Sequence, residues 1–216
     1  MGSKVLVIAA HPDDETIFFS SVFLSKHRGN ASLCCVTDGN YEDRGYDRFQ
    51  QLKEACKKLG VKDLKTLGYP DDFRERLPLE AVYGDLLQLL KEGGYDLVYT
   101  HSPHGEYGHI QHQDVSYVAH RAASELGIPV YCPGAFSKSY VVHELSPEDF
   151  AVKLEILSTH YREELLRFWH QLPLGPVEIF QQLEFQEAED VYLFFRSGEE
   201  PGNLNAYSGV AGFLQR

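Results

Sequence analysis

Lys4–Ala10 (KVLVIAA) is apolar at every position after its lysine and breaks off at His11-Pro12-Asp13-Asp14-Glu15. A strand without polar alternation has to be covered on both faces, the condition of a parallel sheet between two helix layers. Ala31–Thr37 (ASLCCVT) is a second such run, and Leu64–Leu67 and Asp96–Thr100 (DLVYT) are shorter ones. Val130–Cys132, Ser139–His143 and Val191–Arg196 complete the predicted strands. Between them the spacing predicts helices over Glu15–Lys26, Phe49–Leu59, Pro78–Lys91 and Asp114–Leu126, several closed by glycine. Ser146, followed by Pro147 and Asp149, caps a long helix running to about Gln171. Trp169 and the Leu/Phe stripe near it read as core. The alternation gives an α/β fold, Rossmann-like, with a mostly parallel sheet and helices on both faces. Residues 1–216 read as a single domain.

Composition excludes several classes. Twenty Lys and Arg stand against 32 Asp and Glu, a net charge of −12. Without a basic excess there is little to displace counterions from phosphates, so a general nucleic-acid binder is not expected. No run reaches the ~18–20 apolar residues of a membrane span. The apolar run at residues 5–10 is too short for a signal-peptide core, and cytoplasmic residence is the expectation. The four cysteines, Cys34, Cys35, Cys56 and Cys132, show no CxxC spacing and read as reduced core thiols. Gly202–Arg216 carries no readable motif; it reads as surface or as an oligomer contact, and a homo-oligomer is compatible with the chain.

In open α/β sheets ligands sit beyond the carboxyl ends of the strands. Polar clusters at 11–15, 38–48 and 101–112 fall at such ends. His11 and Asp14 are three apart at a strand-to-helix turn, which brings an imidazole and a carboxylate to one side and leaves Asp13 projecting elsewhere. Residues 101–112 (HSPHGEYGHIQH) hold four of the ten histidines, and His109 and His112 are again three apart. A His/His/Asp set with an open position is what hydrolytic zinc uses. His101 and His104 are alternative ligands or pocket lining, and lining is the preferred reading.

HPDDE after the first strand, with GEYGHIQH later, resembles the PIG-L/LmbE family of zinc-dependent N-deacetylases. The likeness extends to Thr37-Asp38-Gly39, to Arg48 ahead of a helix ending Leu59-Gly60-Val61, and to Gly68-Tyr69-Pro70-Asp71, covering about residues 4–120. The resemblance implies that His11, Asp14 and His112 hold one Zn2+ per chain, with another divalent metal able to use the same donors. It implies Asp13 as general base for the attacking water. Tyr107 and His109 would stabilise the oxyanion and protonate the leaving amine, and Arg48 and Asp71 would contact sugar hydroxyls. Two positions depart from the family pattern. Gln111 stands where many members have Asp between the two histidines, and Gln51 replaces the Glu of an Arg-x-x-Glu.

The expected protein is therefore a metal-dependent N-deacetylase, a hydrolase of a linear amide C–N bond. Its expected partner is a small-molecule amino sugar or small amino-sugar glycoconjugate, with no nucleic acid and no membrane. An N-formyl or longer N-acyl amidohydrolase would use the same site. A non-catalytic carbohydrate-binding homologue would have lost Asp13 or a ligand, and all of them are present.

Overall fold

The computed structural model describes residues 2–135, 139–170 and 172–197. Seven strands form one sheet: β1 Val5–Ala9, β2 Ala31–Thr37, β3 Leu64–Tyr69, β4 Leu97–Thr100, β5 Val130–Pro133, β6 Tyr140–Glu144 and β7 Val177–Gln182. Their order is β3-β2-β1-β4-β5-β7-β6. The pairs among the first five are parallel, whereas β7 runs antiparallel to both β5 and β6. The chain reverses its direction of travel across the sheet between β1 and β4. This topological switch point places the β1 and β4 loops side by side, where such sheets bind their ligands.

The helices are α1 Asp14–Ile17, α2 Gly45–Leu59, α3 Leu79–Gly93, α4 Ile110–Glu125, α5 Pro147–Thr159, α6 Arg162–Phe168 and α7 Phe185–Ser197. Period-two alternation splits β1 between two cores. Val5, Val7 and Ala9 pack with Phe19, Leu52 and Ile156 on one face; Leu6, Ile8 and Ala10 pack with Leu86, Val115 and Ala119 on the other. Cys35 and Cys34 divide between the same two layers, and all four cysteines are buried and free. None of the described helices is long and apolar enough to cross a membrane.

Four expectations are corrected. The helix predicted over Glu15–Lys26 is a short α1 followed by a π-helical turn, Val22–Lys26. Ser20 Oγ donates back to the Thr16 carbonyl, and Ser21 N–H donates to Glu178 Oε2 (2.9 Å), so both serines draw hydrogen bonding away from a regular helix. The long helix from Ser146 is capped as expected, with Asp149 N–H donating to Ser146 Oγ at 3.1 Å, but it breaks at His160–Tyr161 into α5 and α6. Trp169 is 64% exposed rather than core. Val191–Arg196 lies within α7, not in a strand. Ala188, Val191 and Tyr192 are its buried residues, at helical spacing, and Tyr192 Oη donates to Asp114 (2.8 Å). The late strand is instead β7, which opens one residue after Pro176. Gly202–Arg216, expected as surface or an oligomer contact, lies outside the described residues.

Burial sets one pH dependence of stability. His120 on α4 is fully enclosed, and desolvation lowers its pKa from 6.5 to about 4 despite its bond to the Ser116 carbonyl. The unfolded chain then binds a proton that the native chain refuses. The His120 contribution is therefore present above pH 6.5 and is lost as pH falls towards 4, up to about 3 kcal/mol. Urea unfolding at pH 7 and pH 4.5 should show that loss, and NMR should find the His120 ring neutral at pH 5.5. A His120 titration near pH 6.5 would contradict the assignment.

Candidate metal centre and active site

The site is assembled from the loops that follow β1, β2, β3 and β4. After β1 the chain turns at once. His11 N–H donates to Asp14 Oδ2 (2.7 Å), and Asp13 N–H donates to Glu15 Oε2 (2.9 Å). These bonds hold Asp13 at φ 124°, a region that L-residues rarely enter. Gly39 after β2 approaches this turn so closely that an added Cβ would lie 2.8 Å from the Pro12 ring, which accounts for the glycine of Thr37-Asp38-Gly39. After β4, Gly105 adopts φ 77° and an added Cβ would meet the His109 carbonyl at 2.5 Å. The tight turn there delivers His109 as the N-cap of α4 and His112 into its first turn.

Three donor groups converge. His11 Nδ1 lies 3.1 Å from His112 Nε2, His11 Nδ1 lies 3.3 Å from Asp14 Oδ2, and His112 Nε2 lies 3.4 Å from Asp14 Oδ1. Donors about 2.0–2.1 Å from a tetrahedral zinc are separated by roughly 3.4 Å along each edge, so the spacing fits such an ion. Two overlapping groupings also bring metal-ligating atoms together: His11, His109 and His112, and Asp14, His101 and His112. His112 belongs to every one of them.

The electrostatics favour a cation. Burial alone would raise the Asp14 pKa, but the His112 and His101 imidazoles outweigh it and hold the carboxylate well below its ordinary value. Burial would lower the His11 pKa; its hydrogen bond to Asp14, with the Asp71 and Asp14 charges, raises it overall. In His109, burial together with neighbouring His112 and His11 drives the pKa down to about 2. That ring is neutral, and its Nδ1 accepts from Gln111 N–H (3.3 Å). The proton therefore sits on Nε2, which makes His109 a hydrogen-bond donor.

Asp13 stands apart from the converging donors. Its Oδ2 accepts from Arg48 Nη2 at 3.0 Å, and burial pushes its pKa well up against the opposing Arg48 charge. Arg48 is only 7% exposed and also donates to the Pro12 carbonyl; its Nη1 lies 3.5 Å from Glu164. Arg48, expected at the sugar, thus grips Asp13. Asp71 Oδ1 lies 3.5 Å from His11 Nε2, and Asp71 N–H donates to Asp38 (3.2 Å). Tyr107 is 36% exposed, its ring edge-on to His109 and His112. A cavity of about 450 Å³ opens over these groups and is lined by His11, Asp13, Asp14, Arg48, Asp71, Tyr107 and His109. All of the expected site residues except His112 line it, and His112 lies fully buried beneath.

Several lining or supporting residues escaped sequence reasoning. Tyr41 and Phe73 meet edge to face at 5.2 Å on one wall; Glu164, Arg167 and Leu172 come from α6 and the segment after it. Glu106 is half-buried at φ 54° with its side chain largely enclosed, and accepts from His112 Nδ1 (2.7 Å), His101 Nδ1 (3.1 Å) and Ser102 N–H (2.8 Å). Its place within Gly105–His109 is the one sequence signal that marked it.

The profile of the family described as PIG-L, GlcNAc-PI de-N-acetylase, matches residues 6–123. The chain belongs to this family. N-acetylglucosaminyl-phosphatidylinositol de-N-acetylase of Bos taurus is 30% identical over 138 residues, covering 61% of this chain and 54% of that protein. The 1D-myo-inositol 2-acetamido-2-deoxy-alpha-D-glucopyranoside deacetylase of Thermomonospora curvata is 27% identical over 165 residues, covering 61% and 56%. The chain spans about half the length of the curated relatives it matches. Among solved structures, N,N'-diacetylchitobiose deacetylase from Pyrococcus horikoshii superposes with TM-score 0.68 at 19% identity, covering 85% of each chain, a likeness of fold. In this PIG-L family chain the departure at Gln111 has a structural reading. Its side-chain amide is turned to His11, 2.9 Å away, while only its backbone N–H meets the His109 ring.

Proposed function

We propose that this chain is a metal-dependent N-deacetylase of an N-acetylated amino sugar or small amino-sugar glycoconjugate, with zinc as the metal. The observation that carries the reading is the 3.1–3.4 Å convergence of His11, Asp14 and His112 beside a carboxylate, Asp13, that is not part of it. Family membership and the deacetylase activities for which the relatives are named support the amide as the scissile bond.

His11 Nδ1, His112 Nε2 and the Asp14 carboxylate are the proposed ligands. A divalent ion bound there supplies Lewis acidity, polarising the amide carbonyl and acidifying water. Asp13 removes the proton of the attacking water, and its raised pKa suits it to hold that proton. Arg48 keeps the Asp13 carboxylate oriented. Tyr107, whose phenol is kept protonated by burial and by the Asp14 and Asp13 charges, donates towards the developing oxyanion together with His109 Nε2–H. The proton that Asp13 takes from the water then goes to the leaving amine. Asp71 and the Tyr41–Phe73 wall face the same cavity and are suited to the hydroxyls and the apolar face of a sugar ring.

Amine release from a panel of N-acetylated and N-formylated amino sugars, with and without chelator and with metal content determined in parallel, tests this. The expected result is about one zinc per chain and chelator-sensitive release from an N-acetyl sugar. Failure to take up metal even after reconstitution would remove the assignment, and release restricted to N-formyl substrates would move it to that acyl class.

A further inference from the structure

The two imidazoles of the proposed ligand set are held from behind by different partners. Gln111 Nε2 donates to the carbonyl oxygens of Pro70 (3.1 Å) and Glu75 (3.2 Å). Only the nitrogen of an amide can donate, so these two carbonyls fix which way the side chain faces. Its Oε1 is thereby presented to His11 Nε2 at 2.9 Å. An amide oxygen only accepts, so His11 carries a proton on Nε2, and its neutral, ligating form bares Nδ1. His112 is the reverse: its Nδ1 lies 2.7 Å from Glu106 Oε2, a carboxylate that only accepts, so a proton sits on Nδ1 and the neutral, ligating form bares Nε2. With these tautomers the two bare nitrogens would stand 3.1 Å apart beside the Asp14 carboxylate, lone pair towards lone pair. Such a juxtaposition is repulsive until a cation lies between them.

We propose that Gln111 and Glu106 are paired positioning residues that impose opposite tautomers on His11 and His112, and that Gln111 also ties this end of the site to the Pro70–Glu75 loop. The inference rests on the ligand set proposed above. A carboxylate at position 111 would still accept from His11, but it has no hydrogen for Pro70 or Glu75. An amide is the one side chain of this length that serves both, which gives the departure from Asp a physical reason. Glu106 does for His112 what carboxylates commonly do behind a metal-bound imidazole, fixing the ring and raising its basicity.

Zinc affinity is measured on the full chain by competition with a chromophoric chelator, and the protonated ring nitrogens are read from long-range 15N–1H spectra of the zinc-loaded protein. In the wild type, His11 is expected protonated on Nε2 and His112 on Nδ1. Glu106→Gln and Gln111→Leu should each weaken zinc binding about 10–100-fold. Gln111→Glu should keep zinc binding but speed hydrogen exchange across residues 70–75. Wild-type zinc affinity in folded Glu106→Gln and Gln111→Leu would overturn the proposal. So would the same tautomer at both rings of the wild type, a readout that does not depend on any variant folding. A wild-type chain that binds no zinc, or an Asp14→Ala variant that binds it unchanged, would instead overturn the ligand set itself.

Discussion

Asp13→Asn is expected to keep about one metal per chain and to lose turnover by roughly 10²–10⁴-fold, the range that a positioned general base contributes. The substitution preserves shape and leaves an oxygen for the Arg48 guanidinium, which reaches Asp13 at 3.0 Å. It removes the cavity-lining carboxylate that Arg48 grips and that lies outside the convergence of His11, Asp14 and His112. The pH dependence should change with the rate. Burial raises the Asp13 pKa above 3.8, so the wild-type rate should fall on the acid side at a pH above the ordinary aspartate value as that carboxylate takes up a proton. The residual activity of Asp13→Asn should lack this limb. Steady-state rates across pH, with metal content measured on the same samples, check both parts. Full activity in a metal-loaded Asp13→Asn would transfer the base to another group.

His112→Ala should empty the site. His112 is fully buried, is held by Glu106 from behind, and belongs to each of the overlapping donor groupings. Removing it leaves His11 and Asp14, two ligands where a structural or catalytic zinc uses at least three. Metal content by elemental analysis should drop from near one per chain to background, with amine release lost in step. His101→Ala is the informative partner. Its Nε2 already accepts from Ala10 N–H at 3.0 Å and its Nδ1 faces Glu106 at 3.1 Å, so both ring nitrogens are engaged. His101→Ala should therefore retain metal. Stoichiometric metal in His112→Ala, with loss in His101→Ala, would exchange the roles of the two stacked rings, whose centroids lie 3.9 Å apart.

Some of this was legible in the residues and some was not, for definite reasons. β1 and β2 were readable because unbroken apolar runs have few alternatives to a doubly covered strand. That the two i, i+3 pairs, His11/Asp14 and His109/His112, would meet followed from their places at predicted strand ends on either side of the switch point; the choice of His11, Asp14 and His112 among them came from the family resemblance. Val191–Arg196 misled because an apolar run without turn signals reads equally well as strand or helix; the contact of Tyr192 with Asp114 on α4, far away in sequence, decided for the helix. The amide of Gln111 could be read as a departure, but its orientation depends on two carbonyls of a loop forty residues earlier in the chain. Glu164 and Leu172 reach the cavity from a region with no motif, and only the packing of α5 and α6 against the sheet brings them there.

That last contribution divides the pocket by origin. The groups proposed to break the bond hang from β1 and β4, the central strands, within the stretch shared with the rest of the family. The opposite wall is borrowed from α6 and the residues after it, beyond the matched region. The two halves can therefore drift at different rates through evolution. Exchanging residues 165–172 for those of a relative, with Glu164 kept beside Arg48, should change which substrates enter, while the hydrolytic step stays as it was. Such a chain is a chassis with a replaceable faceplate, and substrate range is where members of its lineage are expected to differ first.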